Sequence, residues 1–186
     1  MAFDAFLKID GIDGEATESK HVKWIQIDSF SWSAQNNVDR TGAGMNTGTV
    51  SAEGFSFKKM VDQSSPKLAQ SCCTGAHIGN ALLEVCQSSG ERTMYLQYKL
   101  EDVIISGFSV GASQDSVKHS AVGLPGTSPG AGSQNAGLAG RLSDRPEETV
   151  TISFSKYTMT YKPTNSKGAP TGSVAAGYDL KQNVKA

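Results

Sequence analysis

The residues best able to do chemistry in this 186-residue chain fall in three places. Gly126-Thr127-Ser128-Pro129-Gly130 spells the G-x-S-x-G of a hydrolase nucleophile elbow. In that motif the residue after the serine donates its backbone N–H to the oxyanion hole, and here it is Pro129, which has none. Cys72, Cys73 and His77 place thiols near a base, the makings of a thiol nucleophile. Both cysteines fall in the last turn of the one helix signal, where the helix dipole raises a thiol pKa and opposes activation. His21 and His119 have no metal-ligand companions at useful spacing, and the thiols lack a second pair for zinc. Gly42, Gly44 and Gly48 have no lysine behind them, so no phosphate loop is spelled. No catalytic residue, metal site or cofactor is expected, and a thiol-dependent enzyme using Cys72 or Cys73 is the weakest reading.

The helix signal runs from Asp62 to Ile78. Ser65 suits the N-cap, Pro66 the first helical position, and Gly75 a left-handed end. Leu68 with Cys72, and Ala69 with Cys73, are spaced to form one apolar stripe against a sheet. Three cysteines, two of them adjacent, make a poor disulfide framework, so reduced and buried thiols are expected.

The rest reads as strands. Phe3, Ala5, Leu7 and Ile9 alternate with polar or small residues. From about Lys23 to Ser33, Ile25 and Ile27 have one parity and Phe30 and Trp32 the other, which calls for a bulge near Asp28 and Ser29. Further strands are expected at Thr49 to Lys58, Ala81 to Gln87, Thr93 to Leu100 and Val103 to Val110. A late strand carries Val150, Ile152 and Phe154, then Tyr157, Met159 and Tyr161 with the other parity, which marks another bulge. Tyr178 to Val184 closes the set. A long polar loop is expected over 36–48, and a Gly/Ser-rich insertion over 116–141. About eight strands with one short flanking helix suit a mainly β fold, a closed or nearly closed barrel, since closure removes exposed edges. The length suits one domain over 1–186.

A formal charge of −1 leaves no basic field for nucleic acid. No apolar run approaches a membrane span, and the first residues hold no secretory h-region, so synthesis and folding in the cytoplasm are expected. Ser29, Ser31 and Ser33 alternate with Phe30 and Trp32. Their face is either an ordinary solvated exterior or a smooth polar wall along which another molecule moves.

Three blocks in order resemble the haemolysin-coregulated protein (Hcp) family, the tube subunit of the type VI secretion system. They are FLKIDGIDGEATESKHVKWIQIDSFSWS from Phe6 to Ser33; the helix block with Asp62, Ser65-Pro66, Leu68, Gly75 and Ile78; and Ser143 to Val150 leading into the late strand, with YDLKQNV at the end. The resemblance implies a barrel flanked by one helix, similar to phage tail-tube proteins. It also implies homo-hexameric rings that stack into tubes, meet spike and sheath components and carry small effector proteins, with export that needs no signal peptide from a Gram-negative cell. The projecting loop would supply ring contacts through Val38, Asp39, Arg40, Thr41, Met45 and Asn46, and the lumen face would be Ser29, Ser31 and Ser33. Similar proteins cross to Arg145 by a shorter linker than the one seen here. A secreted binding module or effector that uses the Gly-rich insertion for recognition is the alternative.

Overall fold

The computed structural model describes residues 3–39, 46–87, 93–111, 145–163 and 171–186. Eleven strands and one helix follow in the order β1 (Phe3–Ile9), β2 (Ile25–Ile27), β3 (Ser29–Ser31), β4 (Ala34–Asp39), β5 (Asn46–Ala52), β6 (Phe55–Met60), α1 (Ser65–Thr74), β7 (His77–Gln87), β8 (Met94–Gly111), β9 (Glu147–Tyr161), β10 (Val174–Asp179) and β11 (Val184–Lys185). All pairings between strands are antiparallel.

The path of paired strands is joined end to end, as a nearly closed barrel, through a single residue. β2 pairs with β1 and β3 pairs with β6, and only Asp28 separates β2 from β3. The Asp28 N–H donates to Lys58 O at 2.8 Å. The strands therefore follow one another round as β1, β2/β3, β6, β9, β8, β7 and back to β1. This is the break that the opposite parities of Ile27 and Phe30 demand. Ile25 and Ile27 are buried, and Phe30 stacks on Phe55 inside the same core.

Several expectations need correction. Tyr178 to Val184 is not one strand: β10 ends at Asp179, residues 180–183 turn, and β11 begins at Val184. Thr49 to Lys58 spans the end of β5 and most of β6, which lie in different sheets. Residues 36–48 are not a loop: β4 and β5 reach Asp39 and resume at Asn46, pairing with each other in a separate two-stranded sheet. Ala34, Gln35, Asn36, Val38 and Ser51 are exposed and give no apolar alternation, so periodicity misses most of the arm. Thr93 to Leu100 and Val103 to Val110 are one continuous strand, β8. Ser65 is not the N-cap: Ser64 holds that place without a side-chain cap bond, and Ser65 opens the helix.

The Ser65 hydroxyl is taken by a buried polar knot. It donates to Glu148 Oε1 at 2.9 Å and accepts from the Asp62 N–H at 3.0 Å. Lys59 Nζ lies 2.6 Å from Glu148 Oε1 and 2.7 Å from Asp62 Oδ1, with Lys59 and Glu148 fully or almost fully buried. The knot fastens the start of α1 to β6 and β9, while Leu68 enters the core and Gly75 ends the helix at φ +62°. Cys72 packs against the core, whereas Cys73 is exposed and takes no part in the stripe.

Removing one partner strands a buried charge. Lys59→Met should lower unfolding free energy in urea by about 3–5 kcal/mol, and adding Glu148→Leu should recover most of that loss. Equal instability of the single and double variants would show that the knot does not act as a pair.

Candidate functional site: a hydroxyl-lined sheet face

Ser29 and Ser31 are exposed on the outward side of β3, with Phe30 between them turned to the core. Register extends their face over three more strands. One row runs Ser29, Lys58, Thr149, Ser109, and the next runs Ser31, Ser56, Thr151, Gly107. Ser106 and Ser153 join it. Ser56 Oγ and Thr151 Oγ1 lie 3.3 Å apart, and Ser153 Oγ donates to Ser106 Oγ at 2.9 Å. The Lys58–Glu147 pair at 3.1 Å bounds one end. The structure thus gathers β3, β6, the first half of β9 and the last half of β8 into one wall of short hydroxyl side chains. Sequence reasoning named only the β3 part, because the other members come from non-local pairing. The alternating small polar residues in Thr149, Thr151 and Ser153 were the available signal.

Ser33 sits at the margin. Its Oγ donates to Glu53 Oε2 at 2.6 Å, and the Glu53 N–H donates to Ser33 O at 3.0 Å, which ties the root of the β4–β5 arm. Val38 is exposed on that arm opposite Thr47, and Asp39 pairs with Asn46. Arg40, Thr41 and Met45 lie outside the described residues, as do His119, the G-x-S-x-G stretch and the 116–141 insertion.

The centre of the wall is tightly fitted. A Cβ on Gly54 would meet Thr151 Cγ2 at 2.6 Å and Ile152 O at 3.2 Å, and one on Gly107 would meet Thr151 Cβ at 3.2 Å. Thr151 therefore lies across two glycines, with no room for a Cβ at Gly54 unless Thr151 moves and a tight fit at Gly107.

The three thiols differ in setting: Cys72 packs against the core and Cys73 is exposed. Cys86 is buried, and desolvation, aided by Glu84, Glu18 and Asp4, pushes its pKa up to about 11. His77 faces Asp102 instead, with Nδ1 3.2 Å from Oδ1. His21 is a core residue stacked on Phe6, with Glu18 and Glu84 carboxylates at 2.5 and 2.9 Å from its two ring nitrogens. Desolvation would raise the Glu18 pKa, but the hydrogen bonds from His21, the Lys20 N–H and Ser19 outweigh it and leave it lowered. Among the described residues no cluster of three or more potential metal ligands occurs. No described helix is long and apolar enough to cross a membrane.

This mainly β fold with one flanking helix is shared with type VI secretion proteins of known structure. A structure described as that of a type six secretion system protein matches with a TM-score of 0.80 at 28% identity, covering 100% of both chains. Hcp1 from Salmonella typhimurium matches with a TM-score of 0.69 at 30% identity, again over 100% of both. The protein hcp1 of Pseudomonas aeruginosa is 30% identical over 191 residues, covering 100% of each. Residues 6–161 match the family described as "Type VI secretion system effector, Hcp", and the chain belongs to that family. The family is one of structural secreted proteins rather than a known enzyme family.

Two outcomes test this geometry. Gly54→Ala should cost about 1–3 kcal/mol through overpacking, and Thr151→Ser beside it should restore part of the loss. Neutral behaviour of Gly54→Ala would show that the wall is not tightly fitted. For the thiols, Cys73 should label in the native protein and Cys86 only on unfolding. The folded Cys86 pKa lies above that of a free thiol, so its contribution is full below about pH 8.5 and is lost as pH rises toward the folded value. In Cys86→Ala that alkaline loss should shrink.

Proposed function

We propose that the chain is a ring-forming subunit of the type VI secretion tube, with six copies per ring and the hydroxyl wall turned to the opening. The observation that carries this reading is the pair of open edges on the wall. Among the described residues β3 pairs only with β6, and β8 beyond Ile104 pairs only with β9, because the pairing with β7 ends there. Unpaired edges invite another strand. The directions of β3, β6, β9 and β8 alternate, so the β8 edge of one copy beside the β3 edge of the next continues the antiparallel order. A head-to-tail contact of this kind closes into a ring when its rotation closes.

The wall itself suits transit. It carries mostly short hydroxyls and one ion pair, with Ile104 at its margin, so a folded cargo protein meets a surface that holds water rather than one that grips. The β4–β5 arm pairs only with itself among the described residues, and an isolated two-stranded hairpin is marginal in water. Docking on a neighbouring ring through Val38, Asp39 and Asn46, with Arg40, Thr41 and Met45 between the two strands, gives the arm its support. Residues 1–186 act as one unit that is exported with its cargo and meets the spike and sheath of the same system.

Light scattering with negative-stain microscopy on one sample tests assembly. Six-fold rings with an open centre are expected, and a monodisperse monomer at high concentration would overturn the reading.

A further inference from the structure

β8, β7 and β9 change face together at one level. The core residues there stand three apart instead of two: Ile78 and Ala81 in β7, Leu100 and Val103 in β8, Phe154 and Tyr157 in β9. The pairs between them, Gly79-Asn80, Glu101-Asp102 and Ser155-Lys156, all stay off the core. Pairing continues across this level on both sides of β8, with Asn80↔Glu101 and Ile78↔Val103, then Glu101↔Lys156 and Val103↔Phe154. The result is a crease through three strands rather than a bulge in one.

At its centre Asp102 has φ +53°, a left-handed conformation inside an 18-residue strand. Such a conformation persists only where the surroundings hold it. Two neighbouring strands supply the hold. The Ser155 hydroxyl of β9 donates to Asp102 Oδ2 at 2.6 Å, and His77 Nδ1 of β7 lies 3.2 Å from Oδ1. These bonds keep the Asp102 carboxyl below its ordinary pKa, with Lys181 adding a smaller attraction. The crease is also where β9 changes partners, from β6 up to Ile152 to β10 from Lys156. It therefore divides the hydroxyl wall from the outer sheet.

We infer that Asp102 is a positioning residue for assembly: clamped by Ser155 and His77, it fixes the crease and so the angle at which the open β8 edge, Ser106 to Gly111, is presented to the next copy. This rests on the ring reading above. The partner is the β3 edge of a second copy, and the clamp acts on it through backbone direction, without touching it.

The test compares the protein concentration needed for half-assembly, by light scattering, with thermal stability in the same samples. Asp102→Gly keeps the left-handed conformation accessible but removes the clamp, and Ser155→Ala removes its shortest bond. Each should raise the half-assembly concentration by about 5–10-fold, the weight of one solvent-exposed hydrogen bond, while Tm moves by less than about 3 °C. The double variant should be no worse than Asp102→Gly, because the two residues act as one unit. Asp102→Asn, which tolerates the left-handed region and keeps an acceptor for Ser155, should assemble within about twofold of wild type. Asp102→Gly rings forming at the wild-type concentration would overturn the clamp and leave the ring reading intact. Loss of assembly that tracks Tm in every variant would also overturn it. A wild-type monomer would instead overturn the ring reading, and the clamp with it.

Discussion

Backbone pairing between β8 and β9 runs from Leu96↔Tyr161 to Gly111↔Glu147, and most of the main sheet attaches to one half of this ladder or the other. β6 and, beyond it, β3 join the half that begins at Glu147, while β7 and β10 join the half that ends at Tyr161. The ladder is long enough to serve different neighbours at its two ends, and it both creases at Asp102 and shifts register between Ile105 and Gly107. Twist alone gives a gradual turn. The crease gives a local one, and the parity of Leu100 and Val103 lets both halves keep apolar residues on the same interior.

The interior then has two kinds of fastening. Apolar burial supplies the bulk, with Leu7, Ile25, Phe55, Leu83, Leu100, Ile105 and Ile152 all almost wholly enclosed. Buried ions supply direction. The Lys59–Glu148–Asp62–Ser65 knot sets where α1 starts, and the His21–Glu18–Glu84 contacts pin the long connection between β1 and β2 over Phe6. Such groups contribute little net stability compared with apolar replacements, but breaking one is costly, so they hold the elements in one arrangement.

Much of the fold was legible because burial imposes period. The parity change from Ile27 to Phe30 announced the break at Asp28, whereas that from Phe154 to Tyr157 read as a bulge in one strand and is instead a crease shared by three. The mate of that crease in β8 read as a gap between two strands, since Glu101-Asp102 looks like a turn when its neighbours are unknown. Of the β4–β5 arm only the end of β5, from Thr49, was legible, because a self-paired polar ribbon carries little burial signal. Of the site, Ser29 and Ser31 were legible from alternation. Ser56, Thr149, Thr151 and Ser106 join them only through register with residues far along the chain.

The central claim is that the face carrying Ser31, Ser56 and Thr151 surrounds the opening of a ring. Cryo-electron microscopy of the assembled protein, at a resolution that separates strands, tests it most directly. The account predicts β3, β6, β9 and β8 lining the opening of a six-fold ring, with the β8 edge of each copy against the β3 edge of the next. A ring whose opening is lined by α1 or by the outer face of β1 and β7 would contradict it.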